Sequence, residues 1–312
     1  MIKYLDFEND IEKVEKKIDE LDSNDINFLK KKEKLKEKKN KLLNSIYSNL
    51  TAWQKVQVAR HSDRPHALDY INMIFDDIIY LHGDKKYSDD SAIVGCLGTL
   101  SGRSVMIIGT EKGNSMESRI KHNFGMAKPE GYRKAQRLML IADKFNLPII
   151  TFVDTAGAFP GKEAEERGQS ESIASSILSS LKIESPIISV IIGEGGSGGA
   201  IALATADKIL MLEHSIYSVI SPEGCASILW RSNEFIKKAS ENLKLTAQDC
   251  LNYKIIDSIV KEVSGGAHRF PEDQAGVLKN DLILSINSLT TLTGEEQRKN
   301  RNEKFLNITS NI

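Results

Sequence analysis

The sequence has few cysteines, and their spacing argues against two ways of stabilising a fold. Only three occur among 312 residues, and they lie far apart, at Cys96, Cys225 and Cys250. An odd number argues against a disulfide framework and fits a reducing compartment. None has a second cysteine at CxxC spacing or histidines at ligand spacing, so the pattern of a structural zinc site is missing. We therefore predict no metal in this chain.

The sequence also lacks an excess of charge and a long apolar run. Its 42 lysines and arginines nearly balance 43 aspartates and glutamates, so no overall field attracts nucleic acid. The N-terminus has no apolar core of the signal-peptide type. The most apolar window contains Glu194 and five glycines, which disfavours a membrane span. We predict a soluble, cytoplasmic protein with neither nucleic acid nor membrane as a partner.

The most informative segment of the chain is 186–207. It begins with an apolar run, 187–192, whose composition suits a strand buried on both faces. Five glycines follow within seven residues, and the small apolar residues of 200–206 suit a tightly packed helix. The first N–H groups of a helix have no partner inside it, and the helix dipole adds positive charge there. Because glycines let a ligand approach closely, we predict an anion site: for a phosphate, a carboxylate or a developing oxyanion.

Three chemistries are compatible with this glycine turn. Residues 193–198 match the GxGxxG dinucleotide fingerprint, with Glu213 as a candidate ribose ligand. Residues 195–199 match the GxSxG nucleophile elbow of α/β-hydrolases, with Ser197 as the nucleophile. The third is an oxyanion hole of backbone N–H groups with no side-chain nucleophile. A fourth alternative is a structural turn that only lets the helix pack close to the strand, since so many glycines satisfy several motifs by chance.

The N-terminal part of the chain is predicted to form a helical hairpin. Apolar residues at helical spacing indicate helices over 5–21 and 29–50, joined by a turn at 22–25. Eight lysines and two glutamates lie between Lys30 and Lys41. We interpret this run as a solvated helix face, with nucleic-acid binding as the weaker alternative.

Two shorter helices are predicted next, over 51–60 and 68–81. The polar break between them contains His61, Arg64 and His66, which could form a surface cluster. Further along, the patterns predict a β-hairpin at 92–109, a long polar surface loop from 111, a helix at 130–145, a strand at 148–153, a helix at 163–183, strands at 208–212 and 255–260, helices at 233–250 and 272–288, and a frayed polar tail from 294.

A strand, a glycine turn and a helix occur twice, at 148–183 and 186–207. The first of these turns is 154–161, DTAGAFPG. This alternation predicts a partly parallel sheet with right-handed crossovers. Both turns would then lie at the carboxyl ends of neighbouring strands, where open α/β sheets bind ligands. Two turns at one crevice suit a reaction with two anionic groups.

The rest of the sequence weighs on the three chemistries. A dinucleotide fingerprint belongs in a first βαβ unit, whereas a strand and helix precede this one, and it leaves the turn at 154–161 unexplained. A hydrolase needs an acid and a histidine after Ser197, and Asp257 and His268 follow in that order. The order of these residues is therefore compatible with a hydrolase, although two turns facing one crevice do not favour that hypothesis.

Seven motifs follow one another along the chain: NFGM (123–126), PEGYRKA (129–135), DTAGAFPG (154–161), EERGQSE (165–171), IGEGGSGGA (192–200), YSVISPEGCASILW (217–230) and GGAHR (265–269). In this order and spacing they resemble one enzyme family, the alpha subunit of the bacterial acetyl-CoA carboxylase carboxyltransferase. The similarity covers nearly the whole chain, including the opening LDFENDIEKVEKKIDEL. The chain departs from the family at Ala156, where proline is usual, at Phe159, where tyrosine is usual, and in the divergent loop 114–122.

The resemblance implies an α/β fold of the ClpP/crotonase type, a superhelix of repeated ββα units with oxyanion holes at helix N-termini. It implies a helical hairpin at 1–50, a carboxyltransferase domain at 51–290 and a polar tail at 291–312. It further implies an α2β2 assembly with a beta subunit, which would carry the zinc and much of the coenzyme A site. A biotin carboxyl carrier protein and a biotin carboxylase would complete the enzyme.

The implied reaction moves a carboxylate from carboxybiotin, a co-substrate on the carrier protein, to acetyl-CoA. The product is malonyl-CoA, for fatty acid synthesis. The N–H groups of Gly198 and Gly199 are expected to stabilise the biotin oxyanion, and no protein base is needed. Five further residues are expected to contact substrate: Gly195, Gly196, Ala158, Phe159 and Gly161.

Overall fold

The computed structural model describes residues 3–22 and 27–308, which build a mixed sheet with helices on both faces. The strands are β1 (Asp76–Tyr80), β2 (Ile93–Leu100), β3 (Arg103–Thr110), β4 (Ile149–Thr155), β5 (Ile187–Gly196), β6 (Lys208–Leu212), β7 (Ile216–Ser218) and β8 (Ser258–Val260). The helices are α1 (Asn9–Asp19), α2 (Phe28–Tyr47), α3 (Ala52–Ala59), α4 (Ala67–Ile74), α5 (Met116–Lys121), α6 (Pro129–Lys144), α7 (Lys162–Glu166), α8 (Gln169–Lys182), α9 (Ser197–Ala204), α10 (Pro222–Trp230), α11 (Ile236–Asn242), α12 (Ala247–Asn252), α13 (Pro271–Leu289) and α14 (Gly294–Asn307).

The strands lie in the order β1-β2-β3-β4-β5-β6-β8, and β7 pairs with the end of β5. The pairs β1–β2 and β2–β3 are antiparallel, and the remaining pairs are parallel. The predicted partly parallel sheet is thus confirmed. Ile188 and Val190 pack with α4 and α13 on one face, while Ile187 and Ile191 pack with α6 and α9 on the other. Because both faces are covered, the central strands are apolar without alternation.

The predicted hairpin at 92–109 is confirmed as β2 and β3. They are joined by Ser101 and Gly102, whose φ angles are +49° and +81°. Two positive φ angles give the turn the twist that matches paired strands. The next strands, β4 and β5, are parallel neighbours, and Thr155 at the end of one pairs with Gly195 near the end of the other. The two glycine turns therefore follow adjacent strand ends, as the sequence predicts.

The prediction of a helix over 68–81 is wrong in its second half. Helix α4 ends at Ile74, and the chain continues as β1, which pairs antiparallel with β2. The residues of β1 are mostly exposed, and Ile78 and Tyr80 are two residues apart, which is the side-chain period of a strand rather than of a helix. The backbone N–H and C=O groups of β1 form hydrogen bonds with the edge of β2 rather than within a helix.

Two other predicted segments are divided in the structure. The helix expected at 233–250 is a 3₁₀ turn followed by α11 and α12, with a break at 243–246. In this break Lys244 has φ +51°, Leu245 is buried, and Thr246 begins α12 with a capping box. The polar loop expected from 111 contains the short helix α5.

The two helices of the N-terminal hairpin are confirmed as α1 and α2, although residues 23–25 of the predicted turn lie outside the described residues. Ile11 packs in one cluster with Leu43, and Glu15 pairs with Lys39. Four residues forward along α1 thus correspond to four residues backward along α2, so the two helices are antiparallel. Most lysines of the run from Lys30 to Lys41 are exposed, as a solvated face requires.

The hairpin is fastened to the loop 265–269 by a group of polar side chains that we call the clamp cluster: Glu8, Glu15, Tyr47 and Arg269. Arg269 donates to Glu8 at 2.6 Å and lies 3.4 Å from Glu15. Tyr47 donates its hydroxyl to Glu8 at 2.8 Å. Both members of the Arg269–Glu8 pair are buried, so this contact between distant parts of the chain excludes water.

The prediction of a frayed tail from 294 is wrong for the described residues, since 294–307 form α14. Arg301 is 1 % exposed and donates to both carboxylate oxygens of Asp207, at 2.9 and 2.7 Å. It also donates to the backbone carbonyls of Ser180, Ile183 and Ser185. A charged residue is buried here because it satisfies carbonyls at the end of α8. Within the described ranges, no helix has the length and apolarity needed to cross a membrane.

Candidate active site

The glycine turn after β5 leads directly into α9. Gly196 precedes the helix, and no side chain caps its N-terminus. Gly198 and Gly199 are its second and third residues, so their N–H groups have no partner within the helix. Within the described ranges no side chain accepts a hydrogen bond from either of them. The turn therefore presents backbone donors and the positive end of the helix dipole.

The turn after β4 packs against this helix start with almost no space between them. A Cβ atom on Gly199 would lie 2.8 Å from the backbone nitrogen of Ala158 and 2.8 Å from the carbonyl carbon of Gly157. A Cβ on Gly196 would overlap the carbonyl oxygen of Ala156. Glycine is thus required at both positions by close backbone approach.

Gly198 and Gly195 differ from these two glycines. A Cβ on Gly198 would meet only the side chain of Ile173, at an ordinary 3.6 Å. Gly195 leaves room for the ring of Tyr217 on β7, which a Cβ would approach to 2.7 Å. Gly195 is buried, so the structure gives it a packing role in the turn.

The turn after β4 offers a donor of its own. The N–H of Gly157 donates to Thr155 Oγ1, and the N–H of Phe159 donates to the carbonyl of Ala127. Ala158, between them, has no acceptor for its N–H in the described part of the chain. The nitrogen of Ala158 lies against Gly199, so donors from both turns are adjacent. Ala158 was expected to contact substrate, but its free N–H could not be recognised without the turn geometry.

Phe159 and Gly161, which were also expected to contact substrate, lie beside Ala158. The ring of Phe159 is half-buried, with the Lys128 ammonium 4.9 Å from its centre. Gly161 precedes α7, and a Cβ there would overlap the Phe159 ring. The structure therefore brings together Ala158, Phe159 and Gly161 with the glycine turn after β5.

A group of charged residues lies at the same strand ends, and we call it the cavity cluster: Arg60, His66, Lys112, Asp154 and Glu194. Lys112 Nζ is 2.9 Å from Asp154 Oδ1 and 2.6 Å from Glu194 Oε2. Arg60 Nε donates to Glu194 at 2.6 Å, and His66 Nδ1 lies 2.7 Å from Asp154 Oδ2. Asp154 also accepts the Glu194 N–H at 2.9 Å, across the space that Gly193 leaves open.

Mutual pairing keeps these groups charged despite their burial. Burial alone would raise the pKa of Asp154, but Lys112 and His66 hold that pKa well below its usual range. Burial would likewise raise the pKa of Glu194, and Lys112 and Arg60 lower it. The pKa of Lys112 is raised, because its two carboxylates outweigh burial. The cluster thus ties the ends of β4 and β5 together electrostatically.

A cavity of about 220 Å³ opens beside the cavity cluster and beside Ala156 of the turn after β4. The sequence placed His61, Arg64 and His66 in a surface cluster, and this is wrong, because all three are buried. Arg64 donates to Glu262 and to the carbonyl of Ile192, whereas His61 and His66 line the cavity. In the described ranges, no group of three or more His, Cys, Asp or Glu is arranged to hold a metal ion.

The residues of the hydrolase hypothesis do not come together. Ser197 is exposed and has φ +50°. Asp257 is engaged by Lys304 and by the N–H of Ile209, while His268 stacks on His61 at 4.1 Å. The candidate ribose ligand of the dinucleotide hypothesis, Glu213, pairs with Lys261 at 2.7 Å. The structure therefore supports neither the hydrolase nor the dinucleotide hypothesis.

Comparison with known families identifies the family of this chain. Residues 4–309 match the family described as acetyl co-enzyme A carboxylase carboxyltransferase-like. The chain belongs to this family. The family includes a protein of Paramagnetospirillum magneticum that is 57% identical over 308 residues, covering 97% of each chain, and one of Rhodospirillum centenum that is 56% identical over 309 residues, covering 98% of each. Both are named acetyl-coenzyme A carboxylase carboxyl transferase subunit alpha.

Among solved structures, the transcarboxylase 12S core with methylmalonyl-coenzyme A bound superposes with a TM-score of 0.59. The match has 18% sequence identity and covers 73% of this chain and 42% of that one. At this identity the likeness concerns the fold. The carboxyltransferase family member described here therefore has the predicted crotonase-like α/β fold, and the predicted family resemblance is confirmed.

Proposed function

We propose that this chain is the alpha subunit of an acetyl-CoA carboxylase carboxyltransferase. It transfers a carboxylate from carboxybiotin to acetyl-CoA and yields malonyl-CoA, for fatty acid synthesis. The observation that carries the proposal is the set of backbone donors at the two strand ends: Gly198 and Gly199 at the start of α9, and Ala158 beside them. Family membership and relatives of that name support the choice of reaction.

The chemistry needs anion stabilisation more than it needs a side-chain base. Carboxybiotin releases CO₂ and leaves a negative charge on the ureido oxygen. That anion removes a proton from the acetyl methyl group, and the resulting enolate attacks CO₂ to form malonyl-CoA. The N–H groups of Gly198 and Gly199 stabilise the ureido anion, and each such donor contributes roughly a hundred- to a thousandfold in rate. Gly196, Ala158, Phe159 and Gly161 shape the adjacent space and hold the reactants close.

The assembly belongs to the same proposal. The chain acts with a beta subunit as an α2β2 heterotetramer, and the beta subunit supplies zinc and much of the coenzyme A site. Carboxybiotin arrives on a biotin carboxyl carrier protein after loading by a biotin carboxylase. The alpha designation of the relatives supports the existence of a beta partner.

The test is co-expression of this chain with the beta subunit, followed by a malonyl-CoA-dependent assay for carboxylation of free biotin. We expect activity from the complex, none from this chain alone, and zinc in the partner by metal analysis. Ester hydrolysis by this chain alone, lost in Ser197→Ala, would instead establish the hydrolase.

A further inference from the structure

The cavity beside the cavity cluster contains hydrogen-bond donors that nothing in the fold satisfies. His66 is 6 % exposed and lines the cavity, and its Nε2 atom has no partner. The other histidine of the lining, His61, is satisfied, because its Nε2 lies 2.6 Å from the carbonyl of Lys3 and its Nδ1 accepts from Asp63. A buried ring nitrogen without a partner costs free energy, so its placement calls for an external partner.

Arg119, which is half-buried, supplies the second donor of the lining. Its Nε donates to the carbonyl of Gly113 at 3.1 Å, but within the described ranges its two terminal nitrogens meet no acceptor and no carboxylate. Arg60 and Lys112, which also line the cavity, are both paired with Glu194. The lining thus holds three cations against one carboxylate.

The rim of the cavity is held in a strained conformation. Phe124 has φ +54° and ψ +29°, and it lies between Asn123 at φ +49° and Gly125 at φ +76°. Non-glycine residues rarely adopt such angles, and strain of this kind concentrates at binding sites. Phe124 is nevertheless 45% exposed, so packing of its ring does not explain the strain.

We propose that this cavity binds the free carboxylate of a substrate, with His66 Nε2–H and the Arg119 guanidinium as its two donors. A guanidinium offers two parallel N–H groups to a carboxylate, and a protonated imidazole adds a third donor. The inference rests on the proposed function, which supplies two sources of this group: the malonyl carboxylate and the carboxylate of carboxybiotin. His66 and Arg119 are binding residues distinct from the backbone donors of Gly198 and Gly199.

The protonation of His66 makes this binding depend on pH. Burial would lower the pKa of His66, but its hydrogen bond to Asp154 and the charge of Asp154 outweigh burial and raise that pKa. The other groups that act on the ring are Glu111, which raises the pKa, and Lys112, which lowers it, while Asp69 accepts the backbone N–H of His66. Below the raised pKa Nε2 carries a proton and donates; above it the donor is lost.

The test measures malonate binding to the purified full chain by titration calorimetry, without turnover. Arg119→Gln should weaken binding by about tenfold or more, since hydrogen bonds to charged groups are worth that much. Lys121→Gln, an equal loss of charge at an exposed site on the same helix, should change it less than twofold. In the wild type, affinity should fall as the pH rises through the raised pKa of His66. In His66→Asn, which keeps a donor toward Asp154 but lacks Nε2, affinity should be lower and should not change over the same pH series.

Unchanged malonate affinity in Arg119→Gln and His66→Asn, or tighter binding of inorganic phosphate than of malonate, would overturn the proposal. Inhibition of the complex with the beta subunit identifies the source of the carboxylate. If malonate competes with malonyl-CoA, the site binds the malonyl carboxylate; if it competes with biotin, the site binds the carboxylate of carboxybiotin. Competition with neither would also overturn it. Malonate binding that depends on both residues in a chain without carboxyltransferase activity would refute the proposed function and leave this site intact.

Discussion

The clamp cluster and the cavity cluster are both groups of buried charge, but they differ in what lies beside them. In the clamp cluster Arg269 meets two carboxylates, Glu8 and Glu15, and joins the N-terminal hairpin to the loop before α13. Beside the cavity cluster, Arg119 faces the cavity without a carboxylate, and backbone donors lie at the adjacent turns. Buried charge by itself therefore does not indicate function: the clamp cluster joins two parts of the chain, whereas the cavity cluster borders an open cavity and the backbone donors of the two turns.

The largest effect on stability should come from the clamp cluster. Arg269→Met leaves Glu8, which is fully buried, without its counter-charge, and removal of one partner of a buried pair costs about 3–5 kcal/mol. Urea unfolding measures this loss. The control is Arg298→Met, whose pair with Glu184 is 42% and 49% exposed and should be worth less than about 1 kcal/mol. Equal losses in the two variants would remove the structural role we give to the clamp cluster.

At the glycine turn the main expected effect is on activity, and stability should also fall by about 1–3 kcal/mol because the added methyl group must displace backbone atoms. Gly199→Ala places a methyl group against the backbone of Ala158 and should lower kcat/KM about a hundredfold, the effect of one misplaced donor. Gly198→Ala is the matched control, because its methyl group would meet only Ile173 at 3.6 Å and both variants keep their N–H. Similar activity in the two variants would contradict the close approach of the two turns.

Acid should destabilise the region around the clamp cluster. Burial, with the nearby charges of His61, Arg64 and Arg269, lowers the pKa of His268 to about 2. The unfolded chain binds a proton at this residue near pH 6.5 and the folded chain does not, so stability falls as pH falls below 6.5. Between pH 6.5 and pH 5 the loss is about 2 kcal/mol, from about 1.4 kcal/mol per pH unit. Urea unfolding of the wild type and of His268→Gln, in which this loss should vanish, measures it.

The smallest effect is expected at Ser197, which separates backbone catalysis from nucleophilic catalysis. Ser197→Ala should retain carboxyltransferase activity within about threefold, because the N–H groups of α9 stay in place. Ser197→Gly should be at least as stable as the wild type, since φ +50° suits glycine. A loss of activity in the alanine variant comparable to that in Gly199→Ala would require a role for the hydroxyl group.

The parts of this molecule that depend on local sequence could be predicted, and those that depend on tertiary contacts could not. The two strand–turn–helix units were recognisable because glycines and apolar runs act over a few residues. The cavity cluster was not, since Arg60, Lys112 and Glu194 meet only when three separate segments converge. Arg301 illustrates the same limit. A polar segment predicts a frayed tail, and only the tertiary structure shows the backbone carbonyls that accept hydrogen bonds from its buried arginine.

The missing side chain at Gly199 also fixes the relation between the two turns. With the backbone of Ala158 in direct contact, neither turn can shift by a few tenths of an ångström unless the other moves with it. The spacing of the N–H groups is therefore preorganised by packing within the subunit before any ligand arrives. A flexible site would have to reorganise its donors in each turnover, whereas here folding has already fixed their positions.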